Sequence, residues 1–523
     1  MQTLRPIQSK ALAFARHFRG LLAPIGVGHG KTLTCALLPR ALEAKRPVLL
    51  IPPSMRADLA VQWAEYAKHW RLPTNLEILT YEILSQPEST ALLTRLRPDL
   101  IICDEAHKLS DPKSVRTRRF LRYMHENPEV MFCALSGSFT NRSVRDYAHL
   151  AACALNDSSP LPRKWGELEQ WAKALDVVRS TIGFGLDDMS PEEAKAKRAK
   201  ARSGLDRLCS AFNTDDPREA YQRRLRSCPG VVSTTDSGVD VRIEIHKRKF
   251  PVPAVAKAWL DYLESHWTTP DGEELEDALA FARVQRQIAC GFYYRWIWPN
   301  NVPDQAWLDA RAQWHKALRA YLPTSHEGRD SPMLAALACE NRPHTVPADL
   351  LAGWQAWKAQ KDKPEPPKET VWLDPFVVYD AVAWAKAQPE PVLIWYEHTA
   401  VGQAIAAVGG YLFADVGPEA DQTLAMMREP RTIVLSIDAH GTGKNLQLWR
   451  KQLVTTPPAN GRIWEQLIGR THRPGQKAET VEVHVNTHVP CFADSIRNAK
   501  LDAEYIEQTL NTPQRLSYAH YYP

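Results

Sequence analysis

Short apolar runs alternate with longer amphipathic stretches at the two ends of this chain, and the middle breaks the rhythm. In the first part the runs fall at residues 21–24, 48–51, 76–81, 100–103 and 130–135. Most are nearly pure Leu, Ile, Val and Cys without polar alternation. That predicts strands covered on both faces, as in a parallel sheet between helices. The segment opening at Thr32 with Leu33, Cys35, Leu37 and Leu38 predicts a helix, and another is expected around Trp63 to Trp70. The alternation resumes at 372–375 and continues through 391–397 and 432–436. It ends at 480–485, read as a closing strand before a terminal helix and a tail. The fold class expected is α/β, with two lobes that each carry a parallel sheet flanked by helices.

Residues 155–365 carry no such alternation. The stretch 190–202 has Ser190 ahead of Glu192 and Glu193 and then a run of Lys, Arg and Ala, the composition of a solvated helix. Its basic face can touch phosphates, but an exposed charged helix is the more frequent explanation. Farther on stand Trp259, Trp267, Tyr293, Tyr294, Trp296, Trp298, Trp307, Trp314, Trp354 and Trp357, interleaved with Arg283, Arg286 and Arg295. Base stacking is one reading of them. Their helical spacing favours core packing. The proline-rich stretch 361–368 reads as an extended connector.

At 523 residues the chain has room for about three domain-sized units and needs no disulfide to hold a core. Nine cysteines, an odd number without a Cys-x-x-Cys pair, predict a reducing compartment, argue against a zinc site and read best as buried small hydrophobes. The net charge of +5 is a mild bias toward polyanions that permits nucleic-acid binding without requiring it. The first residues lack the apolar core of a signal peptide, and no uninterrupted apolar span is long enough for a bilayer. A soluble, cytoplasmic protein with no membrane partner is therefore expected.

Candidate chemistry begins at Gly26-Val-Gly28-His29-Gly30-Lys31-Thr32, between the first strand and the first long helix. Closely spaced glycines let successive backbone N–H groups turn inward on a triphosphate, and the following helix presents its positive end there. Lys31 is placed to reach the β- and γ-phosphates of ATP, and the Thr32 hydroxyl to hold Mg2+. Ile25 occupies the position of the first glycine in the usual pattern, so Gly26 and Gly28 are expected to supply the bend. Ahead of the turn, the Gln8 amide offers the donor and acceptor that adenine needs, although a surface glutamine is the plainer reading.

The run at 100–103 ends in Asp104-Glu105-Ala-His107. Asp104 at a strand tip suits a Mg2+ ligand, and Glu105 suits a base that orients and deprotonates a water. The run at 130–135 ends in Ser136, Ser138 and Thr140, small hydroxyl residues suited to relaying contact to a neighbouring domain. Ser54 follows the run at 48–51, at the carboxyl end of a strand, where ligands of such sheets bind. Late in the chain, Asp438-Ala-His-Gly441-Thr-Gly443-Lys-Asn445 suggests a second phosphate loop. Asn445 replaces the metal-binding hydroxyl and Asp438 the first glycine, which argues against a second ATP site.

Leu4-Arg-Pro-Ile-Gln8, the Gly-Lys-Thr turn, Asp104-Glu-Ala-His107 and Leu135-Ser-Gly-Ser138 together resemble the ordered motifs of superfamily-two DEAD/DEAH-type helicases. Ile78-Leu-Thr80-Tyr-Glu82 and Gln466-x-x-Gly469-Arg470-x-x-Arg473-x-Gly475-Gln476 look most like the Swi/Snf-type DNA translocases, in a phage or bacterial form. Phe139 stands where that family has Pro. The resemblance implies two RecA-like P-loop lobes at 1–154 and 371–523, with a helical extension at 155–250 and a helical insertion and linker at 251–370. It also implies an ATP- and Mg2+-dependent hydrolase coupled to movement on double-stranded or branched DNA. Arg470 and Arg473, one turn apart on a helix, would face the γ-phosphate across a cleft. Gln466, Gly441 and Gly443 would join the nucleotide site, while Ser54, Thr80, His107, Ser136, Ser138, Thr140 and Asn445 would couple it to nucleic acid. The partners implied are nucleic acid, DNA before RNA, and replication or recombination proteins, with a monomeric motor. An RNA helicase and a non-hydrolysing nucleotide-dependent scaffold stay open as alternatives.

Overall fold

Strands β1 (Leu21–Pro24), β2 (Pro47–Ile51), β3 (Glu77–Thr80), β4 (Leu100–Asp104) and β5 (Met131–Ser136) form one parallel sheet in the order β1-β5-β4-β2-β3. This is seen in the computed structural model, which describes residues 3–176, 204–236, 238–275, 277–325, 329–441 and 444–523. Every residue of β1, β2, β4 and β5 is buried, as two-sided cover by helices requires. Pro24 pairs with Ser136 and Asp104 with Leu135, so the strands end level with one another. The glycine turn, Asp104, Ser136, Ser54 and Thr80 thus share the carboxyl edge of the sheet, where ligand sites of open α/β sheets lie.

Downstream follow β6 (Arg242–Arg248), β7 (Phe292–Trp296), β8 (Lys368–Trp372), β9 (Leu393–Tyr396), β10 (Leu412–Ala414), β11 (Ile433–Ser436), β12 (Lys451–Val454), β13 (Thr480–Asn486) and β14 (His520–Tyr522). All but the antiparallel pair β7–β8 join a second parallel sheet in the order β10-β11-β9-β12-β13-β6-β14. Two parallel sheets of five and seven strands, each flanked by helices, are compatible with two RecA-like lobes.

Three details differ from the sequence expectation. The strand expected to close the second sheet, β13, is interior, because β6 and β14 add outside it. The segment expected to be a tail is β14. A boundary at residue 250 would cut β6 away from its own sheet, since its Ile243 and Ile245 pack with Val481 and Val483 of β13. Residues 231–234 do extend the first sheet: Val232 N–H donates to Leu22 O at 3.1 Å and Thr234 N–H to Pro24 O at 3.1 Å.

The middle divides by what it packs on. Helices Ala254–His266 and Ala278–Ala289 place Leu263, Phe281 and Ile288 in a core shared with Val377 and Ile394 of the second half. Helices Gln305–Tyr321, Pro332–Asn341 and Ala348–Lys358 build a small core of their own around Trp314, Leu318, Leu350 and Trp354. That module is pinned to the first sheet's helix Val115–Glu126 by the buried pair Arg119–Asp330 at 2.7 Å. Most of the aromatic residues therefore serve packing, and the expected charged helix at 190–202 lies outside the described residues. Of the nine cysteines six are buried and three half-buried, and none is joined in a disulfide. Helix Pro490–Leu510 crosses between the halves, with Ile496 and Ala499 in the second core and Tyr505, Ile506 and Leu510 in the first. Among the described residues no helix is long and apolar enough to cross a membrane.

Candidate functional site

The turn after β1 bends at Gly28 (φ 94°) and Gly30 (φ 77°), a backbone region that favours glycine. The bend is therefore one glycine later than the spacing suggested. Gly26 instead gives its N–H to the Thr234 hydroxyl at 2.9 Å. Helix Lys31–Ala41 starts without a side-chain cap, which leaves its first N–H groups facing the turn. Lys31 Nζ donates to Ile25 O at 3.1 Å and Gly26 O at 3.3 Å and stands 3.7 Å from Glu105 Oε1. Gln8 Nε2 donates to Gly30 O at 3.0 Å, and its Oε1 accepts from Arg5 N–H at 2.9 Å. The amide suited to adenine thus fixes the chain's own turn here. His29 is buried beside Asp236, with Nε2 3.6 Å from Oδ1, and burial holds its imidazole below the ordinary value.

At the tip of β4, Asp104 Oδ2 accepts from the Thr32 hydroxyl at 3.4 Å and Oδ1 from the Glu105 N–H at 3.1 Å. Glu105 sits in the left-handed region (φ 56°), which turns its carboxylate back toward Lys31 and His107. Burial, then the neighbouring Glu105 charge, push Asp104 up to about 7, although Lys31 opposes them. For Glu105 burial works in the same direction, but Lys31 and His107 outweigh it and hold the carboxyl well below the usual range. Two carboxylates in one buried place do not ionise equally, and here Glu105 keeps the charge.

His107 Nδ1 lies 3.0 Å from Ser136 Oγ and 3.3 Å from Glu105 Oε2. Ser136 Oγ also accepts from Ser138 N–H at 3.3 Å, which closes the small loop after β5. Thr140 is engaged in its own turn, on Ser143 O at 2.6 Å and Asp146 Oδ2 at 3.0 Å. Ser54 and Thr80 share the carboxyl edge, but β5 and β4 separate their strands from the glycine turn.

The opposite wall is helix Gly461–Thr471 of the second half. Gln466 Nε2 reaches His107 Nε2 at 3.5 Å. A Cβ on Gly469 would lie 3.1 Å from Val27 Cγ1, and one on Gly28 would lie 3.2 Å from Pro474 Cδ. The helix is thus seated on the glycine turn. Arg470 Nε donates to Gly441 O and Gln466 O, both at 3.0 Å, and Nη1 to Lys444 O at 3.2 Å. Arg473 Nη1 donates to the same Lys444 carbonyl at 3.1 Å.

The two arginines are not on one helical face, because the helix ends at Thr471, ahead of Pro474, which cannot continue it. A shared carbonyl brings them together instead. Gly441 has an ordinary right-handed backbone (φ −62°), and a side chain there would meet Ile437 O at 2.4 Å. Asn445 is exposed, and Gly443 lies outside the described residues.

Sequence reasoning missed the supports. Asp502 accepts from Arg142 Nε and from Gly461 N–H, each at 3.2 Å, and so joins the first half to the start of the opposite helix. Glu465 accepts from Arg515 N–H at 2.7 Å and pairs with its guanidinium. These are ordinary charged residues without a motif, found only once their helices cross. Comparison with protein-family models and with curated proteins finds no match to this chain.

The arrangement combines an uncapped helix start, one buried ammonium, a charged and a near-neutral carboxyl, and two guanidiniums from the other wall. Such a set suits a polyanion with a hard cation.

Proposed function

We propose that this chain is an ATP-dependent DNA translocase or helicase of the superfamily-two, Swi/Snf-like kind, acting on double-stranded or branched DNA. The observation that carries the reading is the contact of Gln466 with His107, which brings the helix of the arginines onto the acidic tip and the glycine turn. Three features fit a magnesium nucleotide: the glycine bends with the uncapped helix behind them, Lys31 inside the turn, and the Thr32–Asp104 pair.

In this reading the first N–H groups of the helix and Lys31 bind phosphate oxygens, and Thr32 with Asp104 would hold Mg2+. The cation would supply charge neutralisation on the transferring phosphoryl group. Glu105, kept ionised by Lys31, accepts the proton of the attacking water. Arg470 and Arg473 face spread negative charge from the second lobe, where planar cations are favoured. Opening and closing between the lobes then couples hydrolysis to movement on a strand.

The test is phosphate release across duplex DNA, branched DNA, single strands and RNA. Stimulation by duplex or branched DNA supports the proposal. Stimulation by RNA alone favours an RNA helicase, and ATP binding without release on any polymer favours a scaffold.

A further inference from the structure

Strands β6 and β13 run parallel with Glu244 beside Glu482 and His246 beside His484. Each strand thus presents the same Glu-x-His pair at the same height. Ile243, Ile245, Val481 and Val483 fill the core side, so strand alternation puts both glutamates and both histidines on the other face. Donor atoms of His246, Glu482 and His484 all lie within 4.8 Å of one another. The imidazoles stack with ring centroids 4.7 Å apart, and Tyr522 of β14 stacks on the far side of His246 at 4.8 Å.

Both Nε2 atoms are shut off from water without a hydrogen-bond partner, each only facing the glutamate two residues back at 3.5 and 3.6 Å. A buried nitrogen in that state is costly unless something takes its lone pair or proton. Lys451 Nζ lies 3.0 Å from Glu482 Oε2, the oxygen that faces His484, and Arg450 Nη1 lies 3.2 Å from Oε1, so two cationic side chains hold this carboxylate in place.

We propose that His246, His484 and Glu482 form a three-donor site for a borderline divalent cation of the zinc type. Two imidazoles with a carboxylate suit Zn2+, Co2+, Ni2+ or Cu2+ and disfavour Mg2+, so this site is chemically distinct from the nucleotide site. Bonds of about 2.1 Å would draw the donors to roughly 3.4 Å apart, which unstacks the rings. The cysteine spacing that argued against zinc does not bear on it, since no sulfur takes part.

The cation would act as a clasp. β6 follows directly on the segment that covers the glycine turn through Thr234 and Asp236, and β13 belongs to the sheet that carries Gln466. Fastening one strand to the other ties that cover to the second sheet.

The test uses the full chain, stripped with a chelator and titrated by calorimetry with Zn2+, Co2+ and Mg2+ without nucleotide. One Zn2+ per chain, visible d–d bands of four-coordinate Co2+, and at least a hundredfold weaker Mg2+ are expected. A folded His246→Gln, His484→Gln double variant should lose at least a hundredfold in Zn2+ affinity. No Zn2+ bound by the wild type, or undiminished binding in the folded double variant, overturns the proposal. Should the variant not fold, resonance spectra of Cu2+-loaded wild type decide. Two coupled nitrogens support the site, and none overturns it.

Discussion

Gln466 Nε2 stands 3.5 Å from His107 Nε2, and these two side chains come from opposite halves of the molecule. With the glutamine amide donating, Nε2 is the bare nitrogen and the proton sits on Nδ1, which faces Ser136 and Glu105. Burial pushes His107 down to about 4, so the neutral ring is the form that makes both contacts near neutral pH. The second half thereby touches the group that steadies Glu105.

Gln466→Ala removes that touch and little else. One neutral hydrogen bond is worth about 0.5–1.5 kcal/mol, so on the proposed function polymer-stimulated ATP hydrolysis should fall roughly two- to thirteenfold with nucleotide affinity nearly unchanged. Phosphate release beside equilibrium binding of a fluorescent nucleotide checks it. Equal losses in both would mean that the contact merely shapes the pocket.

Lys31→Ala and Glu105→Gln should fail differently. On the proposed function, loss of Lys31, which lies inside the glycine turn, should remove nucleotide binding. Loss of the charged carboxylate should leave binding intact and slow single-turnover hydrolysis by about 10²–10⁴. Hydrolysis surviving in both variants would end the ATPase reading.

Gly30→Ala probes the turn from the side of Gln8. At φ 77° any L residue is strained by about 1–2 kcal/mol, and the new Cβ would meet Gln8 Nε2 at 2.4 Å. Nucleotide affinity should drop at least tenfold while the melting temperature moves by only a few degrees, read by scanning fluorimetry with and without nucleotide.

Asp330→Ala leaves Arg119 buried without its carboxylate, a change that costs about 3–5 kcal/mol in such pairs. The small Trp314–Trp354 module should loosen first. Limited proteolysis is expected to cut within residues 329–345 in the variant well before the sheets are attacked.

Acid should destabilise the protein early. Burial pushes His107, His398, His472 and His488 down to about 4 from an ordinary 6.5. Between those values the unfolded chain binds protons that the folded one refuses. The penalty is absent above pH 6.5 and accrues as pH falls toward 4, at up to about 1.4 kcal/mol per pH unit for each histidine. Calorimetric melting at constant ionic strength should show a steep fall across that window, and a flat profile would refute it.

The strand tips were legible because an unbroken apolar run is buried on both faces and can end only at a sheet edge. Leu100 to Cys103 announced both β4 and the place of Asp104 and Glu105. The glycine turn was legible as chemistry, although its bend shifted from Gly26 to Gly30, since Thr234, remote in the chain, takes the Gly26 N–H. Arg470 and Arg473 looked like helical neighbours, but Pro474 ends the helix and a carbonyl shares them. β6 was missed although Ile243-Glu-Ile245-His alternates, because it stands alone in a helical region and its partners come from far along the chain, and β14 because it is only three residues long.

Local patterning pointed to the α/β class and to candidate residues at the carboxyl edge of the first sheet, because burial and turn chemistry act over a few neighbouring residues; the candidates of the second half rested on resemblance. Only the tertiary structure decided which half faces which. The contacts that do so, Gln466 to His107, Asp502 to Arg142 and β6 to β13, join residues far apart along the chain. Their energies depend on where whole sheets and helices come to rest, and no local spacing carries that information.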